Sequence, residues 1–247
     1  MRFSFSGEGC FPTGRHYPAI AHLIRVAAAG LADEFDVQTL LSELPLVAID
    51  TETTGRDYEQ DRIVEIACVI YRRGRIEKRH SWLVNPERPI PKEAFDVHGI
   101  SDDDVRDKPT FKGIASEVLE VLQGCLPVAY NAEFDQRFLL KELERCGYSG
   151  GKLPPSARRA VKWIDPLTWA RFLHKDAKSK ALGAMAELLG IELERAHRAT
   201  DDAAAAVLVL ARFFEDARVP ERYGALMQEQ QRLTRIQEEE RSYWRSA

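Results

Sequence analysis

The chain has 247 residues, is 45% hydrophobic and carries a formal net charge of −4. This length can bury one sizeable core, alone or with a small appendage, and no apolar run is long enough to cross a membrane. A small negative net charge bears on solubility and does not identify a binding partner. It therefore does not by itself indicate a nucleic-acid-binding protein.

The cysteines are few and scattered, which argues against a disulfide framework and against a structural zinc site. They are Cys10, Cys68, Cys125 and Cys146. The first residues also lack the continuous apolar stretch of a secretory signal. We therefore expect reduced thiols and a cytoplasmic location.

Residues 1–44 are expected to form a helical extension. Apolar residues recur at helical spacing over Tyr17–Leu31 and over Asp36–Leu44, and Pro45 ends the second segment. The extension either packs on the rest of the protein or binds a partner, and the sequence leaves both open.

After this extension, three strands are followed by alternating helices and strands. Strands are expected at 46–50, 62–71, 75–84 and 126–130, and helices at 111–124, 131–147, 180–191, 200–217 and 220–247. This order predicts an α/β fold with a mixed sheet and helices on both faces. Ligands of such sheets collect at the carboxyl ends of strands.

Two carboxylates end the first strand, in the sequence "DTETTG". Residues two apart in a strand share a face, so Asp50 and Glu52 point the same way and repel each other. No Lys or Arg lies between Val47 and Gly55 to offset that repulsion. Carboxylate oxygens suit Mg²⁺ or Mn²⁺, which predicts a metal site; two surface acids at a strand end are the alternative.

A third acid lies in the first turn of the helix that follows "LPVAY". Asn131 is the expected N-cap, and Asp135 shares its helix face with the apolar Phe138 and Leu139. Asp135 should therefore face a cleft or the protein interior, unless it is an ordinary helix acid.

The segment "HRATDD" brings a histidine close to two further acids. With Thr200 as N-cap, Asp201 and Asp202 fall in the first turn, where the helix dipole alone would favour them. His197 has the side chain that can abstract a proton near neutral pH, although a lone histidine is more often a surface residue.

Together these residues suit phosphodiester hydrolysis by two metal ions. One ion lowers the pKa of a water, the histidine takes its proton, and the other ion stabilises the leaving 3′ oxygen. The set is Asp50, Glu52, Asp135, His197 and Asp202.

One stretch of the chain is basic despite the negative total. From Lys152 to Arg198 there are ten Lys or Arg against five Asp or Glu. Such a stretch can track phosphates, or it can be a solvated face.

The motifs "DTETTG", "NAEFD" and "HRATDD", in this order, resemble the three exonuclease motifs of the DEDDh 3′–5′ exonucleases, the group that includes the proofreading epsilon subunits of bacterial DNA polymerase III. The resemblance covers about residues 45–217, with further matches at "RIVEIACV" and "VHGIS". It implies a ribonuclease H-like mixed sheet of five strands, flanked by helices. The expected domains are then 1–44, 45–217 and a charged C-terminal helix, 218–247.

The resemblance also implies roles for individual residues. Asp50, Glu52 and Asp202 would be the direct ligands of two divalent cations, Mg²⁺ or Mn²⁺, and Asp135 would bind partly through water. His197 would be the general base, and the pattern HxAxxD leaves Asp201 as a helix-start acid.

The substrate implied by the family is the 3′ end of single-stranded nucleic acid, with DNA favoured over RNA. Nucleoside 5′-monophosphates would be released. The residues expected beside the terminal nucleotide are Thr53, Thr54, His98 and Phe134.

Other readings of the same residues remain open. The chain could be a proofreading subunit that docks a DNA polymerase, a 3′–5′ exoribonuclease, or a binding module that has lost catalysis. A phosphatase with an aspartyl nucleophile is disfavoured by the glutamate at position 52 and by the His197–Asp202 pair.

Overall fold

The computed structural model describes residues 30–148, 153–192 and 198–246. The helix expected over Tyr17–Leu31 lies outside the described residues except for its last two positions. His197, the predicted general base, lies outside them as well.

A mixed sheet of four strands forms the centre of the described protein, in the order β3-β2-β1-β4. The strands are β1 (Leu46–Thr53), β2 (Ile63–Arg72), β3 (Arg75–Leu83) and β4 (Leu126–Val128). β2 is antiparallel to both β1 and β3, whereas β4 is parallel to β1. The apolar, β-branched residues of β1 and β2 favour this half-buried, pleated environment. The predicted α/β fold with a mixed sheet is confirmed.

The helices cover both faces of the sheet. They are α1 (Lys92–His98), α2 (Asp102–Val105), α3 (Phe111–Val121), α4 (Ala132–Arg145), α5 (Pro166–Leu173), α6 (Leu182–Leu188), α7 (Ala199–Phe213) and α8 (Tyr223–Ser246). Among the described helices, none is both long and apolar enough to span a membrane.

The expectation of a fifth strand was wrong for the described residues. Its place beside β4 is taken by Ile164, which makes one parallel bridge to Val128. The Ile164 N–H donates to the Pro127 carbonyl at 2.9 Å, and its carbonyl accepts from Ala129 at 3.1 Å. Asp165 then caps α5 and Pro166 begins it, so the chain turns into a helix before a strand can extend.

The helix expected over Asp36–Leu44 was also wrong, because only a 3-10 turn forms at Leu41–Glu43. Leu40 and Leu41 pair instead with the residues just before α8. Leu40 bridges Arg222, and the Leu41 N–H donates to the Glu221 carbonyl at 2.9 Å. Tertiary pairing here overrides local helix propensity.

Alternate residues of β1 enter two separate cores, one on each side of the sheet. Val47 and Ile49 pack with α3 and α4, whereas Leu46 and Ala48 pack with α5, α7 and α8. Because side chains alternate along a strand, Asp50 continues the second set and faces α7. This alternation positions the acids described next.

Candidate active site

Three half-buried carboxylates meet where β1 ends and α7 begins. Asp50 and Glu52 come from β1, and Asp202 comes from the first turn of α7. One ligand oxygen from each lies within 4.8 Å of the other two. That spacing allows the three residues to share a metal ion.

The N-terminus of α7 differs slightly from the sequence expectation. The helix begins at Ala199 after an extended Arg198, so Thr200 is not the N-cap, although Asp201 and Asp202 do lie in the first turn. Asp201 pairs with Arg79 of β3 at 3.3 Å. This ion pair gives Asp201 a structural partner outside the cluster of three.

Asp135 approaches β1 from α4. It is 4% exposed, and its Oδ1 accepts the backbone N–H of Thr51 at 2.9 Å and the Thr51 hydroxyl at 2.8 Å. β4 pairs with β1 only as far as Ala48, so Asp135 takes the hydrogen bond that a longer β4 would have received. The predicted burial of Asp135 beside Phe138 and Leu139 is confirmed.

The electrostatics of the four acids favour binding of a cation. Burial raises the pKa of Asp50 well above its usual range, and the carboxylates of Asp135, Glu52 and Asp202 raise it further. Burial and the neighbouring carboxylates raise the pKa of Glu52 to about 8. Burial also raises the pKa of Asp135 to about 7, against the hydrogen bonds from Thr51. Without a cation the acids cannot all ionise at neutral pH.

Glu65 is a fifth acid at this site, and sequence reasoning gave it no role. It lies directly opposite Glu52 in the β1–β2 register and is 1% exposed. Its Oε1 accepts the Ser81 hydroxyl at 2.7 Å and lies 3.6 Å from an Arg198 nitrogen. Its Oε2 is buried without a hydrogen-bond partner among the described residues. A glutamate inside the apolar run "IVEIACV" was the signal in the sequence.

A cavity of about 490 Å³ adjoins Glu52. All four residues expected beside the terminal nucleotide line it, together with apolar side chains of α1 such as Val97. These four are Thr53, Thr54, His98 and Phe134. The cavity thus brings together residues that are far apart in the sequence.

His98 contributes a neutral ring to this cavity. Burial lowers its pKa, although the backbone of Thr53 offsets part of that shift. Nδ1 accepts the Ile100 N–H at 3.0 Å, so the proton is assigned to Nε2. The Nε2 atom is buried and lacks a partner with hydrogen-bonding geometry in the described part of the chain.

The two threonine hydroxyls serve the loop rather than the cavity. Thr53 Oγ1 donates to the Gly55 carbonyl at 2.6 Å. Thr54 Oγ1 donates to Asp61 at 3.0 Å and accepts the Arg62 N–H at 3.1 Å. The hydroxyls therefore hold the turn after β1, while both threonines line the cavity.

A family model and individual relatives identify the same protein family for this chain. The model of a family described as "Exonuclease" matches residues 47–210, a range that includes Asp50, Glu52 and Asp202. A DNA polymerase III epsilon subunit from Treponema pallidum is 37% identical over 156 residues, which is 63% of this chain and 70% of that protein. The 3′-5′ exonuclease DinG of Bacillus subtilis is 31% identical over 173 residues, 70% of this chain but only 18% of DinG.

Among solved structures, Exonuclease X in complex with 5′ overhanging duplex DNA is similar, with a TM-score of 0.55 and 28% identity. The similarity covers 74% of this chain and 98% of that one. Sequence and structure comparisons therefore point to the same class of protein.

Proposed function

The chain belongs to the exonuclease family and is a 3′–5′ exonuclease, and from that premise we propose how its residues act: two divalent cations, Mg²⁺ or Mn²⁺, bind at the acid cluster. The carrying observation is that oxygens of Asp50, Glu52 and Asp202 lie within 4.8 Å of one another. Hard oxygen donors and raised carboxyl pKa values both fit a small divalent cation.

In this proposal Asp50, Glu52 and Asp202 are direct ligands, and Asp135 completes the site. Such a pair of cations, when bound, lowers the pKa of an attacking water and stabilises charge on the leaving 3′ oxygen. The two hydrogen bonds from Thr51 fix the orientation of the Asp135 carboxylate, so it needs no reorganisation when substrate arrives.

His197 is the proposed general base, on the segment that leads into α7. It stands five residues before Asp202 in the sequence. We expect His197→Ala to slow hydrolysis by about 100-fold and to remove an inflection near neutral pH from the rate profile. Metal affinity, measured by calorimetry, should change little. An unchanged rate and profile would remove His197 from the mechanism.

The cavity beside Glu52 would hold the terminal nucleotide of a single strand. The apolar walls and the Phe134 ring suit a base, and His98 lines the same cavity. DNA is the favoured substrate because the similar proteins are named for DNA polymerase III or solved with DNA.

Residues 45–217 are the proposed catalytic unit. A cytoplasmic location is also proposed, and it agrees with the unpaired thiols of Cys68, Cys125 and Cys146.

The direct test uses 5′-labelled single strands of DNA and RNA with the same sequence, each with Mg²⁺, Mn²⁺ or EDTA. We expect a ladder of DNA shortened stepwise from the 3′ end with either cation and no products in EDTA. Hydrolysis in EDTA would contradict the metal assignment. Faster loss of RNA would make the enzyme an exoribonuclease.

The similarity to an epsilon subunit supports a second proposal, that the enzyme proofreads as part of a DNA polymerase. Purification of the tagged protein from its own cells is the test. A polymerase catalytic subunit should co-purify in stoichiometric amount, and its absence would leave a free-standing enzyme.

A further inference from the structure

A second groove lies between the start of α4, residues 162–171 and α8. We call it the α8 groove, and its volume is about 430 Å³. Four of its lining residues are cationic: Lys162, Arg171, Arg235 and Arg241. Two of them belong to the basic stretch noted in the sequence, and the other two come from α8, beyond the residues that the family model matches.

These cations differ from most arginines of the described protein in having no carboxylate partner. Ion pairs within 4.0 Å connect many basic residues to acids, but the pairs found among the described residues include none of these four. Arg171 is half-buried, and burial and the nearby Arg241 guanidinium together lower its pKa. The nearby Asp165 offsets part of that pKa shift, but it forms no ion pair with Arg171 in the described structure, and two neighbouring guanidinium groups favour a bound anion.

The acids that line the same groove do not neutralise it. Glu133 is paired with Arg137, and Asp165 Oδ1 accepts the backbone N–H groups of Asn131 and Leu167. Glu238 is exposed on α8. The groove therefore keeps an excess of positive charge.

The position of α8 in this groove is fixed by a buried amide. Gln230 Oε1 accepts the Asp165 N–H at 2.9 Å and the Trp169 indole N–H at 3.3 Å. Gln230 Nε2 donates to the Trp163 carbonyl at 2.9 Å. Arg235 and Arg241 are thus carried on a helix locked against the segment that carries Lys162 and Arg171.

The groove and the proposed nucleotide cavity are linked by shared lining residues. The groove shares Asn131 and Glu133 with a surface depression of about 490 Å³ at the start of α4. That depression in turn shares Arg56 and Phe134 with the cavity beside Glu52. Three neighbouring depressions therefore lead from the cavity to the α8 groove.

We propose that the α8 groove binds the sugar–phosphate backbone of the substrate strand upstream of its 3′ end, through Arg171, Arg235 and Arg241. α8 then acts as one wall of a track that holds long strands and not the shortest ones. The inference rests on the proposed function, because the direction of the bound strand follows from placing its 3′ end in the cavity beside Glu52.

The test compares a 3-nucleotide and a 12-nucleotide oligothymidylate, and the p-nitrophenyl ester of thymidine 5′-monophosphate as a minimal substrate. The groove variants are Arg171→Gln/Arg241→Gln and the single Arg235→Gln. The control is Arg73→Gln/Arg75→Gln, which removes the same charge from exposed arginines outside the ion pairs, at the opposite end of the sheet. Binding of the 12-nucleotide strand is also measured by fluorescence anisotropy in EDTA.

We expect the groove double variant to raise KM and Kd for the 12-nucleotide strand about tenfold with kcat unchanged. It should also lower the slope of log Kd against log salt by about 0.7 for each phosphate that the variant no longer binds. Arg235→Gln, on an exposed residue, should give a smaller change in the same direction. The 3-nucleotide strand, the ester and the control variant should behave as wild type.

Three results would overturn the track. The first is unchanged Kd for the long strand, and the second is an equal loss on long and minimal substrates, which would place the arginines at the catalytic centre. The third is an equal rise in Kd in the control variant, which would make the effect one of net charge and not of the groove. Failure of the wild type to cleave any substrate would instead refute the proposed function. The binding measurement in EDTA would still show whether the α8 groove binds the long strand.

Discussion

Helix α4 carries a buried carboxylate near each end, and the two are surrounded differently. Near its C-terminal end, Glu142 accepts Arg62 Nε at 2.6 Å and Arg145 Nη1 at 3.1 Å. Near its N-terminal end, Asp135 is in none of the ion pairs of the described residues and accepts two hydrogen bonds from Thr51. A buried acid with a structural role comes with its own cation, whereas an acid without one is suited to a cation from solution.

The largest effect should come from Asp202→Asn, which removes one ligand from the acid cluster. We expect loss of hydrolysis to background in saturating Mg²⁺, measured on 5′-labelled DNA. The melting temperature in EDTA should be equal or higher, because the substitution relieves repulsion between like charges.

The neighbouring Asp201→Asn is the matched control for Asp202→Asn. It removes only the exposed pair with Arg79, so activity should persist and stability should change by less than about 1 kcal/mol. Normal nuclease rates in Asp202→Asn, or equal losses in both variants, would contradict the assignment of ligands.

A substitution near the C-terminal end of α4 should lower the stability of the protein and leave its catalytic activity unchanged. Glu142→Gln removes the buried anion that Arg62 and Arg145 share and leaves Arg62 only the exposed Glu87, so we expect the free energy of unfolding to fall by about 3 kcal/mol. Urea titration measures this, with the exposed Glu133→Gln on the same helix as control. The comparison fails if Glu142→Gln destabilises no more than the control, or if it abolishes activity while remaining folded.

A smaller effect is expected in the pH dependence of the metal-free protein. The pKa of Glu52 is about 8 in the fold against an ordinary value of 4.5, so the folded state holds the proton more tightly than the unfolded chain. Stability from this group is complete below about pH 4.5 and is lost as pH rises towards about 8.

We therefore expect the melting temperature in EDTA to fall by a few degrees between about pH 5 and about pH 8, since 1 kcal/mol shifts it by about 2–4 °C at this size. Glu52→Gln should flatten that slope. Saturating Mg²⁺ should reverse it, because the cation binds the ionised carboxylates. Identical slopes for wild type and Glu52→Gln in EDTA would refute the prediction.

Local periodicity was enough to predict the relation between several site residues. The two-residue period of a strand placed Asp50 and Glu52 on one face, and the helical stripe of Phe138 and Leu139 placed Asp135 inward. The structure brings Asp202 to the first pair, as the ordered motifs implied.

Features that depend on long-range packing were not predictable in the same way. Glu65 joins the site through the register between β1 and β2, and the α8 groove exists because Gln230 ties α8 to residues 163–169. The expected fifth strand does not form, because the N-cap Asp165 and Pro166 begin a helix directly after Ile164. Neither a cross-strand register nor a helix docking position is encoded by a short segment of sequence.

The short length of β4 limits where this protein can accept insertions. β4 ends at Val128 and α4 starts at Ala132, so three residues set the reach of Asp135 to the free N–H of Thr51. One of them, Asn131, is already in the left-handed region at φ 71°. A residue added there would carry Asp135 away from β1, while one added at the exposed Gly74 hairpin would lengthen a loop remote from the acids. Grafts and tags therefore belong at the hairpin end of the sheet.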